Sequence, residues 1–505
     1  MASAGIHFGN TNSVIAVYKD GKVEIVSNET GDRVTPTIVA YTGSEKLVGQ
    51  PAKQYLTRNP SSCISQIKSS IGQSFTDDHI NQIKDGASCE ISNVKGSISF
   101  KVKVEDNFVK VSSIKAASYI FTKLLEIAEH VGGSDLEDVV LAVPHNFSEE
   151  QKLSLCEAAE DIGCNVLRVI SEPAAALLAY GIGQEDPTVH GNILVYRLGG
   201  SSMDATVMNV NSGMYRVFSQ KCNPNFGGKD FDKVLVQHFQ KEFQRKYKED
   251  ISSNKRAIGK LTTAVETCKH GLTRMQSTSC AVDSLYDGLD FHSQIPRAKY
   301  ESLCSHLFTQ CLQLIDESLQ SSNLTESQID TVILAGGGSN MPRLINLVKE
   351  RFKSSEFLTK YSPEELLARG AALQAALLQG REDINASSPS LQCLSKNIGI
   401  KISKDGNEQM EVIINKNTPV PTRRSRTFKC DAQQTSVCVC VCESVDTNIE
   451  TSRLLAKLAM KDLNENSEKE LLINFEVNRN GYLQVTLTEK VSNRTEQLTI
   501  EIEHT

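Results

Sequence analysis

The stretch GIHFGNTNS, residues 5–13, determines how the chain begins to fold. Apolar side chains alternate with Gly5 and His7, which predicts a β-strand, and Gly9 then opens a run of asparagine, threonine and serine. A strand that ends in glycine and short polar residues is typical of a turn whose backbone N–H groups bind phosphate. A histidine stands on this strand, where a phosphate site with a metal ion would need a carboxylate.

The composition is that of a soluble globular protein. The 505 residues are enough for about two to four domains, and 39% hydrophobic with 23% charged residues is ordinary for such a chain. The net charge of −7 gives no basic field for DNA or for a membrane surface, and neither a signal peptide nor a membrane-spanning stretch is recognisable. The 14 cysteines are scattered through apolar patterns, as in a reducing compartment, so we expect a cytosolic protein.

The order of strand and helix signals predicts three parts. Strands and helices alternate over residues 1–185, and the pattern repeats over 186–380, which indicates two α/β lobes of one domain. Residues 381–390 read as a polar linker. Strand signals dominate residues 391–505, where Asn480-Gly481 predicts a hairpin turn, so we expect a separate, mostly β domain.

Local signals place some helices in the α/β part. Apolar residues at helical spacing predict a helix over 111–131, and Ser148 with Gln151 predicts a capping box for a helix that ends near Gly163. The tetrad Ser-Pro-Glu-Glu at 362–365 predicts another helix start, with proline in the first position.

Three glycine turns carry the chemistry. They are FGNT (8–11), LGGSS (198–202) and AGGGS (335–339), and each follows an apolar strand. One such turn is common in any fold, but two at matching places in two lobes, with a third, favour a nucleotide cleft. The cleft is not a P-loop, since the chain contains no GxxxxGK[ST].

Longer motifs resemble the 70-kilodalton heat-shock protein (DnaK-type) chaperone family. The resemblance covers essentially the whole chain, and it implies an actin-like, two-lobed ATPase domain followed by a β-sandwich like the family's substrate-binding domain at 391–505. The family's helical lid is not found after it. The motifs are GDRVTPTIVAY (31–41), VLAVPHNFSEEQ (140–151), NVLRVISEPAAALLAYG (165–181), FGGKDFD (226–232), YDGLDF (286–291) and TVILAGGGSNMPRL (331–344).

The resemblance also implies how the first two turns have changed. Active members read like DLGTT and DLGGGT there, and their two aspartates orient the waters of a metal ion beside ATP. In this chain those aspartates align with His7 and Arg197, and a hydroxyl residue near the γ-phosphate aligns with Asn10. Ser201 and Ser202 stand where the family has glycine and threonine.

Other positions match the family more closely. Lys68 and Glu172 align with residues around the attacking water and are the candidate catalytic residues. The metal-binding set is expected to be empty. The resemblance assigns nucleotide binding to His7, Gly9, Asn10, Thr11, Asn12, Lys68, Arg197, Gly199, Gly200, Ser201, Ser202, Glu266, Lys269, His270, Gly336, Gly337, Gly338, Asn340 and Glu364. In that set Glu266 and Lys269 match ribose contacts, whereas His270 and Asn340 replace two arginines that sandwich adenine and Glu364 replaces an aspartate.

These changes predict ATP binding with poor hydrolysis. The phosphate cradle is mostly backbone and its glycines remain, whereas Mg²⁺ prefers oxygen ligands and two carboxylates have been lost. ATP is therefore the expected cofactor, and the sequence speaks against a Mg²⁺ site. Arg197 could bind a phosphate directly, or it could pair with Asp204 or Asp230.

Two other motifs have plainer interpretations. CVCVC (438–442) puts three thiols on one face of a strand; without a second ligand pair, small core residues are favoured over a zinc site. RRSRTFK (423–429) is expected to be a solvated strand edge rather than an RNA contact.

Within the family, the chain looks most like the short, lid-less Hsp-seventy-like subunit of the ribosome-associated complex. That resemblance implies a zuotin-like J-domain partner, the ribosome and nascent polypeptides. The segment SLQCLSK (390–396) lacks the family's acidic-flanked leucine run, which argues against ATP-driven coupling of the domains. Three functions stay open: a non-cycling ATP-binding chaperone partner, an ATP-driven chaperone whose hydrolysis a partner restores, and an actin-fold small-molecule kinase. The β domain argues against the kinase.

Overall fold

The computed structural model contains two compact units, Met1–Ile384 and Asn385–Thr505. The residues it describes are 2–43, 45–84, 86–133, 136–183, 191–211, 214–379, 394, 396–404, 407–416, 418, 422–430, 434–444, 452–461, 469–478, 482–490, 492 and 494–501. The predicted linker at 381–390 and the predicted turn at Asn480-Gly481 lie outside these residues. In the described part of the chain, no helix is both long and apolar enough to cross a membrane.

The first unit is a mixed α/β structure. Its helices are α1 (Gln50–Leu56), α2 (Ile67–Ser70), α3 (Asp77–Lys84), α4 (Ser113–Gly132), α5 (Glu149–Glu160), α6 (Glu172–Ala179), α7 (Gly228–Tyr247), α8 (Lys255–Arg274), α9 (Arg297–Leu303), α10 (Ser305–Ser322), α11 (Pro342–Arg351) and α12 (Leu366–Gln379). Its strands are β1 (Ser3–His7), β2 (Asn12–Lys19), β3 (Lys22–Ile25), β4 (Thr35–Pro36), β5 (Val39–Thr42), β6 (Glu45–Val48), β7 (Cys63–Ile64), β8 (Glu90–Val94), β9 (Ser97–Val104), β10 (Asn107–Ser112), β11 (Asp138–Val143), β12 (Asn165–Ser171), β13 (Gly191–Leu198), β14 (Met203–Asn211), β15 (Met214–Asn223), β16 (Ser277–Tyr286), β17 (Leu289–Pro296), β18 (Thr331–Ala335) and β19 (Glu356–Leu358).

Each lobe contains a sheet with the same arrangement of strands. In lobe I the strand order is β12-β11-β1-β2-β3, with β1 antiparallel to β2 and parallel to β11. In lobe II the order is β19-β18-β13-β14-β15, with β13 antiparallel to β14 and parallel to β18. The fold class predicted from the sequence, a two-lobed α/β ATPase domain followed by a β-sandwich, is confirmed.

The repeated sheet brings two residues to equivalent places. His7 at the end of β1 pairs with Val14, and Arg197 near the end of β13 pairs with Asp204, with the same spacing in both hairpins. The turns FGNT and LGGSS lie inside these hairpins. His7 and Arg197 therefore occupy equivalent positions in the sheets of lobe I and lobe II.

Helix α12 packs closely on lobe I. A Cβ at Gly5 would lie 2.0 Å from the backbone N of Ala372, and a Cβ at Gly370 would lie 1.8 Å from the backbone O of Ala175 on α6. Only glycine permits such an approach of backbone to backbone. The last helix of the unit is thereby held against β1 on one side and α6 on the other.

The local helix signals had mixed outcomes. The capping box at Ser148 and Gln151 is confirmed at the start of α5. The helix predicted to follow Ser362-Pro363 is present as α12, whose first hydrogen bond runs from the N–H of Leu366 to the carbonyl of Ser362 at 3.2 Å, although the regular helix begins at Leu366 and not at Pro363. The carbonyl of Pro363 accepts a hydrogen bond of 2.7 Å from the N–H of Gly336, which ties the predicted first turn to the third glycine turn.

The second unit is a sandwich of two antiparallel sheets. Its strands are β20 (Asn397–Lys404), β21 (Asn407–Ile414), β22 (Thr422–Cys430), β23 (Val437–Ser444), β24 (Arg453–Met460), β25 (Lys469–Val477), β26 (Tyr482–Glu489) and β27 (Thr495–Glu501). The sheet orders are β21-β20-β23-β24 and β22-β25-β26-β27. Alternate apolar residues, including Val441, Phe475 and Val485, form the core between them.

The motif CVCVC lies on β23. Val439 and Val441 point into the core, so the cysteines take the opposite face. Cys442 is buried there but Cys438 is exposed. The interpretation of these cysteines as core residues was wrong for Cys438, because the two-residue period of the strand gives the core to the valines.

Candidate nucleotide site

The three glycine turns meet in the first unit. A Cβ at Gly200 would lie 2.3 Å from Oγ1 of Thr11, so the first two turns are in direct contact across the lobes. Gly336 of the third turn has a positive φ of 81° and packs against the carbonyl of Leu198, and the hydroxyl of Ser339 accepts a hydrogen bond from the Leu198 N–H at 3.2 Å. The fold therefore brings the turns FGNT, LGGSS and AGGGS together at one site.

Glu172 is the centre of a buried ion cluster beside these turns. It occupies the first position of α6, where the helix dipole favours a carboxylate, and it is 3% exposed. Its Oε1 lies 2.7 Å from Nζ of Lys68 and 3.3 Å from Nε2 of His7. Its Oε2 lies 2.9 Å from Nε of Arg197. One carboxylate thus contacts Lys68 of α2 and both His7 and Arg197.

Arg197 is engaged on its other side as well. Its Nη2 donates to Oγ of Ser202 at 2.9 Å and also pairs with Oδ2 of Asp204. Asp230, the other partner considered from the sequence, instead accepts from the N–H of Gly227 at 2.9 Å at the start of α7. Of the alternatives left open by the sequence, the structure places Arg197 in an ion pair with Asp204.

Burial and charge set the ionisation of the cluster. Burial lowers the pKa of His7, although Glu172 acts in the opposite direction. Burial alone would raise the pKa of Glu172, but the charges of Arg197 and Lys68 outweigh it and hold this pKa well below its usual range. Burial also lowers the pKa of Lys68 and raises the pKa of Asp204, against the attraction of Glu172 for Lys68 and of Arg197 for Asp204.

The residues present do not fit a Mg²⁺ ion. Mg²⁺ needs several oxygen ligands at short distance. The carboxylates of Glu172 and Asp204 are already paired with Arg197 and Lys68, and the residues aligned with the family's aspartates offer an imidazole and a guanidinium. Among the described ranges, no group of three or more His, Cys, Asp or Glu side chains is arranged to hold a metal.

The phosphate cradle does fit a nucleotide. The hydroxyl of Thr11 is buried and has no hydrogen-bond partner among the described residues. It packs against Gly200, where the lack of a Cβ leaves room for this hydroxyl. An unpartnered donor between two glycine turns is the arrangement that a phosphate oxygen would complete.

Asn10 bridges the lobes within the cradle. Its Nδ2 donates to Oγ of Ser201 at 2.9 Å and to Oε1 of Gln66, and its Oδ1 accepts from the N–H of Ser69 at 3.4 Å. Asn12 begins β2, and a Cβ at Gly9 would lie 1.9 Å from its carbonyl O, which explains the glycine there. Sequence reasoning missed Gln66, whose positive φ of 61° at the cap of α2 aims it into the site.

The proposed ribose residues lie on α8. Nζ of Lys269 contacts Oδ2 of Asp232 at 2.7 Å and the carbonyl of Gly228 at 3.1 Å. Oε2 of Glu266 contacts Nζ of Lys53 of lobe I at 2.7 Å. Asp232 and Lys53 were not predicted, although FGGKDFD was quoted as a motif; only the folded chain brings them to α8.

The remaining predicted residues border the third turn and α8. A Cβ at Gly337 would lie 3.4 Å from Oε2 of Glu364, and burial raises the pKa of that carboxyl. Asn340 ends the short 3₁₀ turn Gly337–Asn340, which contains Gly338, and it is half-buried. His270 follows Lys269 on α8 and is exposed. Gly199 closes the second turn through its N–H, which donates to the carbonyl of Ser202 at 2.8 Å.

Comparisons with known proteins agree along the whole chain. The model of the Hsp70 protein family matches residues 3–505. Heat shock 70 kDa protein 14 of Mus musculus is 40% identical over 507 residues, covering 99% of this chain and 100% of the relative. The proteins of the same name from Bos taurus and Homo sapiens are each 39% identical with the same coverage.

Proposed function

The chain belongs to the Hsp70 family, and from that membership we propose that it is an ATP-binding Hsp70-type chaperone subunit with weak or no intrinsic hydrolysis. Hsp70 proteins bind nucleotide and work with J-domain co-chaperones and polypeptide substrates. In the proposed role this chain acts with a zuotin-like J-domain protein on nascent polypeptides at the ribosome, in the cytosol. The specific partner and the ribosome are suggested by the resemblance of its sequence.

The observation that carries the proposal is the contact between Arg197 and Glu172. It fills the place of the metal-orienting acids with a tethered guanidinium and leaves the glycine turns intact. Phosphoryl transfer depends mainly on positioned charge, so a cluster that is already neutralised offers little extra stabilisation to a transition state. In this proposal the chain therefore keeps its ability to bind ATP and loses most of its ability to hydrolyse it.

The chain's own groups have defined tasks in this proposal. The hydroxyl of Thr11 and the backbone N–H of Gly200 would hold phosphate oxygens, and Glu266 and Lys269 would hold the ribose. Glu172 is a poor general base, because its lowered pKa means that it does not readily take up a proton from water. Bound ATP supplies a high-energy phosphate bond that these residues hold rather than cleave.

A second function is favoured by the retained Lys68–Glu172 pair. This pair matches the positions around the attacking water in active members, and its 2.7 Å contact is intact. In the alternative, a J-domain partner restores hydrolysis and the chain cycles as an ATP-driven peptide-binding chaperone. The actin-fold kinase is disfavoured because a β-sandwich follows the ATPase domain.

Single-turnover hydrolysis separates the two chaperone functions. Purified chain is loaded with ATP, and hydrolysis is followed with and without the zuotin-like J-domain protein of the same organism. The proposal expects slow hydrolysis in both cases and a stable complex of the two proteins in ribosome fractions, whether ADP or ATP is supplied. Strong stimulation by the J-domain protein would favour the alternative, and a chain that sediments only free of ribosomes would refute the proposed assembly.

A further inference from the structure

The lysine at the start of α7 lies beside the second glycine turn. The backbone N–H of Lys229 donates to the carbonyl of Gly200 at 2.9 Å, and the N–H of Gly228 donates to the carbonyl of Gly199 at 2.9 Å. Gly227 permits this approach, because a Cβ there would lie 2.6 Å from the backbone N of Ser201. These contacts fix the backbone that carries Lys229 directly against LGGSS.

This position is within reach of the proposed phosphate cradle. Gly200, the acceptor for the Lys229 N–H, packs from its other side against Oγ1 of Thr11 in lobe I. A Cβ at Gly228 would lie 3.3 Å from Nζ of Lys269 and 3.6 Å from Cα of Gly200. A lysine ammonium is a point charge on a flexible four-carbon stem, so it can turn towards an anion held at this place.

Lys229 differs from the other lysines on this side of the cleft in having no acidic partner. Lys53 pairs with Glu266 and Lys269 pairs with Asp232, each at 2.7 Å. Lys229 is half-buried, and its ammonium forms neither an ion pair nor a hydrogen bond with any residue that the structure describes. Burial lowers the pKa of Lys229, although Glu266 and Asp232 act in the opposite direction. A partly buried cation without a partner is an arrangement that an anionic ligand would complete.

We propose that Lys229 binds the phosphates of ATP and supplies, from the chain itself, part of the positive charge that Mg²⁺ brings in a metal-dependent site. This inference rests on the proposed function, since it assigns a further residue to the same nucleotide site. ATP that enters without a metal ion keeps its full negative charge, and a lysine is a common phosphate ligand. The anchored, unpaired ammonium beside the second glycine turn carries the inference.

The test compares ATP and adenosine as ligands of the full chain, by calorimetry at low salt with EDTA. In Lys229→Met the Kd for ATP should rise at least about tenfold, the size expected when a hydrogen bond to a charged group is lost. Adenosine has no phosphate, so it should bind the variant and the unmodified chain equally. Lys229→Arg keeps the charge and should retain most of the affinity for ATP.

Lys233→Met is the matched control. Lys233 lies one turn further along α7, where its exposed ammonium pairs with Asp230 at 3.0 Å, and its variant should bind ATP as the unmodified chain does. Unchanged ATP affinity in Lys229→Met would overturn the inference and leave the proposed function standing. Equal losses for ATP and adenosine would also overturn it, because they indicate a structural role. An unmodified chain that binds neither ligand would refute both proposals.

Thermal unfolding checks that Lys229→Met is folded. If it is not, Lys229→Gln takes its place, with the same expected results for both ligands.

Discussion

The Nε atom of Arg197 lies 2.9 Å from Oε2 of Glu172, so a strand of lobe II and a helix of lobe I are joined by a buried ion pair. The side chains of the two residues are 11% and 4% exposed. The positive charge in this cleft is covalently attached to the chain, so chelation does not remove it.

Removing the cation should destabilise the fold. Arg197→Met leaves Glu172 and Asp204 as buried carboxylates without their guanidinium partner, and breaking a buried pair from one side typically costs about 3–5 kcal/mol. The free energy of unfolding of the first unit, measured in urea, gives this loss. Lys152→Ala, which removes an exposed pair with Glu149, is the control and should cost less than about 1 kcal/mol. Equal losses in the two variants would contradict the buried-pair interpretation.

Mild acid should weaken the fold through His7. Burial lowers the pKa of His7 below its usual 6.5, so the unfolded chain binds a proton there at a higher pH than the folded chain does. Stability from this group is present above pH 6.5 and is lost as the pH falls below it. The unfolding midpoint of the unmodified chain should therefore drop more between pH 7.5 and 5.5 than that of His7→Gln. Parallel pH profiles would show that the imidazole does not titrate in this way.

ATP binding should depend only weakly on Mg²⁺. The carboxylates of Glu172 and Asp204 are occupied by Arg197 and Lys68, so a divalent ion gains few protein ligands here. In calorimetric titrations with ATP, replacing Mg²⁺ by EDTA should change the dissociation constant by less than about tenfold, or about 1.4 kcal/mol. Abolition of binding by EDTA would count against the prediction.

Restoring both acids should partly activate hydrolysis. The double variant His7→Asp with Arg197→Asp returns two carboxylates beside Lys68 and Glu172, and Asn10→Thr adds a hydroxyl. We expect a rise of at least about 10-fold in single-turnover hydrolysis, since one well-placed electrostatic group is typically worth about 10²–10³ in rate. Each single change should do little, because groups that act as a unit are not additive.

Two outcomes of that experiment are informative in opposite ways. If the unmodified chain already hydrolyses ATP as fast as the triple variant, these positions do not silence the site. If the variant no longer binds ATP, Arg197 anchors a phosphate despite its pairs with Glu172 and Asp204. Binding of ATP is therefore measured before its hydrolysis.

Periodicity and turn chemistry predicted two α/β lobes and a mostly β domain, whereas the actin-like ATPase fold and the sandwich came from the resemblance. Alternating strand and helix signals predicted the two α/β lobes, and the capping box at Ser148 is a local motif whose hydrogen bonds involve neighbouring residues only. The resemblance brought His7, Arg197 and Glu172 into one site. Their mutual contacts were not readable from the sequence, because two of the alternatives for Arg197, Asp204 and Asp230, have the same chemistry.

The errors share a physical cause. Asp232 and Lys53 contact α8 from distant segments, so no local pattern marks them as partners of Lys269 and Glu266. The start of α12 moved to Leu366 because the carbonyl of Pro363 is bonded to Gly336, a tertiary contact that overrides the local cap signal. The helix propensity of neighbouring residues does not predict long-range contacts of this kind.

The glycines at 5 and 370 set the kind of motion that the lobes can make. Where α12 touches the backbone of β1 at one glycine and of α6 at the other, there is no layer of side chains to slide, so shear is blocked along this line. Helix α12 therefore follows lobe II in the sequence but is held to lobe I as part of one rigid body. A single added methyl group at either glycine would push the helix away from β1 or from α6.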